Sequence, residues 1–197
     1  MTDWRRRFGW AGNSAFRNPQ APRRRAPGPA KASGALAASW DRMRIEQLMS
    51  RPVATCHTND PLNVPARLMW EHDCGAIPVV HDDGSIAGVI TDRDICMAAY
   101  TQGRSLDAIR VENVMAKQVI AAQLQHRVRE VEDLMATHQI RRIPVVDDHG
   151  RPIGILSLSD LTIESVQPDT KMPNGVFQIS HTLAAICEPR ARRRHAA

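Results

Sequence analysis

The chain lacks any apolar run of the roughly 18 to 20 residues that a membrane-crossing helix requires, so it reads as a soluble, cytoplasmic protein with no membrane partner. It is poor in cysteine, and Cys56, Cys74, Cys96 and Cys187 are widely separated with no C-x-x-C pair. That spacing argues against a disulfide framework and for free thiols in a reducing compartment. There is no Walker-type phosphate loop, no G-x-S-x-G nucleophile motif and no zinc-ligand spacing. Cys74 and Cys96 have no His/Asp pattern to activate them, so apolar packing is their expected role. These absences make the chain read as a binder, not an enzyme, with no cofactor required and no metal.

Acidic residues are scarce at both ends. Residues 1–40 carry eight Lys or Arg and one acid, residues 166–197 carry five basic and two acidic side chains, and residues 41–165 are left with a net charge of −5. A mildly acidic body thus bears two basic arms. The first arm, 1–40, sets Arg5–Arg7 and Arg23–Arg25 among Pro19, Pro22, Pro27 and Pro29, a composition that cannot build a core and is expected to be disordered. Its start, WRRRFGW, resembles a twin-arginine export signal, but no apolar segment follows, and the prolines spoil the amphipathic helix of an organelle transit peptide. The tail, 167–197, is expected to be ordered in part at most. Its residues 176–179 and 181–187 would form a short strand and helix against the body, or hang free.

The middle of the chain is written twice. GAIPVVHDDGSIAGVITDRD at 75–94 returns at an offset of 66 residues as RRIPVVDDHGRPIGILSLSD at 141–160. The same offset pairs Met49 with Met115, Val53 with Val119, Leu68-Met69 with Leu134-Met135 and His72 with His138, without a gap. A duplication of this kind implies two similar halves about a pseudo-twofold axis, with two equivalent crevices between them. Neither histidine has a second metal ligand at helical spacing, so both are expected to be core or surface residues.

Each repeat carries the same order of elements. A helical turn (44–50, 110–116) precedes a short strand (53–56, 118–122) and a longer helix (about 61–73 and 127–139). Two strands follow, 76–80 with 86–90 and 142–146 with 152–156, and a last helix closes the unit at 92–101 or 158–166. Val128, Val131, Leu134, Met135 and His138 recur at three- and four-residue steps, which is one helical face. In the first copy Asp60 suits a helix cap and Pro61 the first helical position, whereas Pro65 predicts an irregular first turn. The hairpin strands are apolar on both faces and should be buried between helices. Gly84 and Gly150 stand where the turns want a positive φ, and Gly103 is placed to end a helix.

A β-α-β-β-α order repeated twice, with these motifs in these places, resembles the cystathionine-β-synthase (CBS) domain, and the pair resembles a Bateman module. The resemblance covers about residues 44–166 and implies an α/β (α+β) fold, with one CBS domain over 41–103 and a second over 104–166.

The chemistry centres on a triplet that occurs in both copies, Gly88-x-x-Thr91-x-x-Asp94 and Gly154-x-x-Ser157-x-x-Asp160. A carboxylate can accept hydrogen bonds from both hydroxyls of a ribose, and its charge strengthens them. The hydroxyl sits where a strand opens a helix, whose free N–H groups favour phosphate. The glycine is expected to keep the crevice open. Thr91-x-x-Asp94 and Ser157-x-x-Asp160 are also capping boxes by pattern, the plainer reading of a single copy, but the resemblance implies ribose and phosphate contacts there. Arg142, just before a strand, can grip a phosphate through its planar fork, as basic residues at that position do in nucleotide-binding CBS domains. The first copy has Gly75-Ala76 in place of Arg141-Arg142 and offers Arg93 instead, so the two sites should differ in affinity. An adenine ring would lie in apolar slots lined by Val53, Ala54, Thr55, Ile77 and Pro78, or by Val119, Ile120, Ala121, Ile143 and Pro144.

The resemblance implies a stand-alone regulatory sensor. Its ligand would be adenosine-containing, AMP or ADP by preference, with ATP, S-adenosylmethionine or NAD(H) as alternatives, and it would signal to a partner protein and pair into a homodimer through its helices. Two other readings remain open. The Arg-rich arms (5–7, 23–25, 192–194), with Trp4, Phe8 and Trp10, could bind nucleic acid or another polyanion. Or the triplets serve only as caps in a ligand-free dimerisation scaffold.

Overall fold

The computed structural model describes residues 42–165 and 173–187, with side chains of the last segment described from Ile179 onward. The first arm, residues 166–172 and the final basic stretch lie outside the described residues, and so do the readings attached to them.

Each repeat forms a three-stranded mixed sheet. In the first lobe β1 (Cys56–His57) runs parallel to β2 (Ala76–Val80), which is antiparallel to β3 (Ile86–Thr91). In the second lobe β4 (Ala122–Gln123), β5 (Arg142–Val146) and β6 (Pro152–Ser157) repeat that order. Helices α1 (Asn63–Glu71) and α2 (Asp92–Gln102) belong to the first sheet, α3 (Val128–His138) and α4 (Leu158–Ser165) to the second, and α5 (Pro173–Cys187) follows. Pro78 and Pro144 sit in central strands without disrupting them. The parallel neighbour reaches only Val79-Val80 or Val145-Val146, so the side on which each proline lacks a donor has no partner to miss.

Several expectations are corrected at element ends. The first strand of each repeat is two residues long, and residues 53–55 and 118–121 lie outside any strand. Helix α1 starts at Asn63 with Leu62 at its cap. Asp60 instead accepts a hydrogen bond from the His57 N–H at 2.8 Å, tying down the preceding turn. Pro65 falls in the first turn of this later-starting helix, where its missing N–H is not needed, so no irregularity results. The expected strand at 176–179 is instead part of α5, which packs on α3 and α4. Gly84 (φ 83), Gly150 (φ 72) and Gly103 (φ 60) do take the left-handed backbone that their turns and cap require.

The cores are built by exchange. Ile45 and Met49, from the leader of the first repeat, are buried among Val128, Met135, Ile143 and Leu156 of the second lobe. Reciprocally, Ile109 and Val111 join Leu62, Ile77 and Ile90 in the first. Backbone bridges seal the exchange: Ser50 pairs with Ile155 and Arg44 with Arg127, while Ala116 pairs with Val89 and Arg110 with Pro61. Each bridge thus recurs 66 residues on with lobes exchanged.

This exchange also explains the two motif glycines, whose expected role in opening the crevice is corrected. A Cβ on Gly88 would stand 2.7 Å from the Met115 sulfur and 2.9 Å from the Ala116 carbonyl oxygen. One on Gly154 would stand 2.6 Å from the Met49 sulfur and 3.1 Å from the Ser50 carbonyl oxygen. Both glycines are there to let the other repeat's leader lie against the sheet.

The helical faces differ. In the second lobe Ile179 and Ile186 of α5 are buried in the core. In the first lobe α1 and α2 leave an open groove of about 410 Å³, lined by Ala66, Met69, Ile95 and Ala99, beside Trp70 and Tyr100, which are 83% and 82% exposed. No helix among the described residues is long and apolar enough to cross a membrane.

Candidate functional site

Strands β3 and β6 run straight into helices α2 and α4, so the first orphan N–H groups of each helix must be satisfied locally. The chain does this with its triplet. The Thr91 N–H and hydroxyl both donate to Asp94 Oδ2, at 3.0 and 2.7 Å, and the Asp94 N–H donates back to Thr91 Oγ1 at 3.3 Å. Ser157 and Asp160 repeat the arrangement at 2.7, 2.7 and 3.2 Å. The capping reading is therefore correct as geometry. It uses Oδ2 of each carboxylate, and the cap does not engage Oδ1. Both aspartates are only half-buried and face hollows between the lobes.

Those hollows are two clefts, each made from the acidic corner of one lobe and the apolar slot of the other. Cleft one, about 370 Å³, sets Ser157 and Asp160 against Val53, Ala54 and Ile77. Cleft two, about 730 Å³, sets Thr91, Arg93 and Asp94 against Val119, Ile120 and Pro144. Arg142 lines both. Its guanidinium leans across Gly75: a Cβ there would stand 3.0 Å from Arg142 Nη2 and 3.1 Å from Asp92 Oδ2. Among the described residues Arg93, Arg141 and Arg142 enter no ion pair.

Four of the expected slot residues line neither cleft. Alternation along β5 turns Arg142 and Pro144 to the cleft and Ile143 into the core, where it is fully buried. Pro78 is likewise buried within β2. Thr55 is exposed and Ala121 half-buried, both just before the short first strand turns away from the cleft. Conversely, Ser50 and Asp73 line cleft one, and Gln118, Gln139 and Ile186 line cleft two, without having been singled out, while His72, expected only as a core or surface residue, also lines cleft one. Asp73 (φ 47) and Gln139 (φ 52) hold equivalent positions just after α1 and α3, and both adopt the left-handed backbone. The one advance signal for this pair was its place in the repeat. Ile186 lies outside the repeats and had none.

Other chemistry recedes. Burial, reinforced by the nearby Asp60 carboxylate, pushes the Cys56 thiol up to about 12, so it stays protonated and inert. His72 and His138 are exposed. No group of three or more His, Cys, Asp or Glu among the described residues is arranged to hold a metal ion.

A family model for the CBS domain matches residues 45–100 and again 111–166. The chain belongs to the CBS domain family. Its two CBS repeats form the tandem pair called a Bateman module, a regulatory and non-catalytic unit. The CBS domain-containing protein YhcV of Bacillus subtilis is 34% identical over 137 residues, which is 70% of this chain and 95% of that protein. The CBS domain pair of protein MJ0100, solved in complex with 5′-methylthioadenosine and S-adenosyl-L-methionine, superposes with a TM-score of 0.57 at 28% identity, covering 62% of this chain and 94% of that one. A conserved protein from Pyrococcus horikoshii superposes with a TM-score of 0.58 at 31% identity, covering 64% and 95%.

Proposed function

We propose that this CBS pair is a cytoplasmic regulatory sensor that binds an adenosine-containing ligand in the clefts between its lobes and signals to a partner protein. The observation that carries this is the double cleft itself. Each cleft sets a capped but half-exposed carboxylate beside a helix N-terminus, opposite an apolar slot contributed by the other lobe. In this reading Oδ1 of Asp94 or Asp160 accepts the ribose hydroxyls, and Thr91 or Ser157 and Arg142 meet the 5′ substituent. Val53 with Ile77, or Val119 with Pro144, flank the base. The complex of the MJ0100 pair with two adenosine derivatives supports the ligand class. An approximate twofold between the lobes belongs to the same reading, supported by bridges that recur with lobes exchanged.

Since each cleft is walled by both lobes, a ligand that prefers one lobe spacing shifts the pair toward it, by no more than its differential affinity for the two spacings. The output surface is the open α1/α2 face of the first lobe, through which two copies pair as a homodimer. Trp70 and Tyr100 would be its anchors. Light scattering tests this. Trp70→Ser with Tyr100→Ser should yield monomers, and an unchanged dimer rejects the face.

The test of ligand class is a melting-temperature screen against AMP, ADP, ATP, S-adenosylmethionine and NADH. A ligand at 100 times its dissociation constant stabilises by about 2.7 kcal/mol. Repeating the screen with Asp94→Ala and Asp160→Ala separates the roles. Variants that lose stability yet keep full ligand affinity would reduce the carboxylates to caps. A wild-type protein that responds to none of these ligands would leave a ligand-free scaffold.

A further inference from the structure

The two clefts are equivalent by duplication but opposite in charge. Cleft two is lined by Arg93, Arg141 and Arg142, set against Asp92 and Asp94. At the offset of 66 residues each arginine is answered in cleft one by a small neutral residue: Ser159 for Arg93, Gly75 for Arg141 and Ala76 for Arg142. The exchange runs the other way at the helix ends, where cleft one has Asp73 and cleft two has the neutral Gln139. Cleft one therefore owns no arginine by position. The one it shows is Arg142, reaching across the space left by Gly75 from a residue that also lines cleft two.

Resting on the adenosine reading above, we propose that the clefts take different ligands. Cleft two takes a phosphorylated adenosine nucleotide, and cleft one takes an adenosyl compound without phosphate, neutral or cationic at its 5′ substituent. Each cleft carries two carboxylates, so the arginines decide. Three guanidiniums free of ion pairs supply a diphosphate with planar, multidentate donors in cleft two, whereas in cleft one Asp73 and Asp160 face the shared Arg142 alone, a balance that disfavours a diphosphate and suits a sulfonium. The shared Arg142 links the two sites. A phosphate in cleft two draws its charge away from cleft one, so each ligand should favour the other.

Isothermal titration calorimetry on the full chain tests this with ADP and S-adenosylmethionine as probes, separately and together. The expected result is one molecule of each bound at once. Arg93→Gln and Asp94→Asn should weaken ADP about tenfold or more, with S-adenosylmethionine held within about twofold, and Asp160→Asn should do the reverse. Ser159→Arg, at an exposed position, restores the missing guanidinium to cleft one and should raise ADP stoichiometry from one to two. The proposal is overturned if ADP affinity follows Asp160, if either ligand fills both clefts equally, if the two compete one for one, or if Ser159→Arg adds no ADP site. Silence from every adenosine compound would sink the adenosine reading, and this proposal with it.

Discussion

The two lobes share a sequence pattern, a sheet order and a capping geometry, yet they present different surfaces to the outside. Lobe two buries its α3/α4 face under α5, through Ile179 and Ile186. Lobe one leaves the same face open, with Trp70 and Tyr100 in solvent. Their clefts diverge as well, each with two aspartates but one with three arginines and the other with only the shared Arg142. What stayed the same is what the backbone needs, namely the glycine under the exchanged leader and the hydroxyl-carboxylate cap. What changed is which side chains line each cleft and what covers each helical face. The duplicated frame has been kept while its surfaces have diverged in charge and cover.

The harshest way to break the comparison is to end the chain at residue 172. Removing α5 uncovers the core of the second lobe and takes Ile186 from the wall of cleft two, while the core of the first lobe keeps all its residues. Two buried isoleucines are worth about 3–6 kcal/mol together. Urea unfolding should show the second lobe weakened by that order, and an unchanged transition would mean that α5 is not part of the core. Next in size are Gly88→Ala and Gly154→Ala, each expected to cost about 1–3 kcal/mol by overpacking against the exchanged leader. Gly88 should be the worse of the two, because the Ala116 carbonyl at 2.9 Å is backbone and closer than its counterpart, the Ser50 carbonyl at 3.1 Å. If both substitutions are tolerated, the leader does not pack as described.

Smaller effects sharpen the likeness between the lobes. Thr91→Ala and Ser157→Ala each remove one cap and should cost about 1 kcal/mol apiece by denaturant titration. A large difference between them would mean that the boxes are not equivalent. The hairpin turns predict the smallest effect. Asp83 sits below the usual carboxylate range, chiefly through the Ser85 hydroxyl and N–H. Asp147 does so chiefly through the Arg151 N–H, with the His149 N–H assisting. A depressed folded-state value means a contribution to stability that is complete above the unfolded value of about 3.9 and fades as the pH falls through the lower, folded one. Asp83 is exposed and Asp147 half-buried, with neither carboxylate in the core, so stability should barely move. An NMR titration should still find both below ordinary aspartate, and Ser85→Ala should raise Asp83 alone.

Much of this was readable along the chain because it is local. The hairpins that join 76–80 to 86–91 and 142–146 to 152–157, the glycines at 84, 103 and 150 and the capping boxes each depend on neighbours within a few residues. Asp60 misled because a good cap residue beside a proline was also a good acceptor for the His57 N–H, and the turn took it. Gly88 and Gly154 were legible as special but not for the right reason, since the atoms they make room for lie in the other repeat's leader.

The sequence alone determined that there are two like units, which elements each contains and where a hydroxyl and a carboxylate meet a helix start. Those follow from periodicity, turn chemistry and a repeat with no gap. Only the tertiary structure decided that the leaders cross, that each cleft joins the corner of one lobe to the slot of the other, that Arg142 serves both clefts and that α5 covers one helical face and leaves its twin bare. These features are contacts between segments far apart in the chain. Side-chain volume and charge select them at close range, and no local pattern records which surfaces will meet.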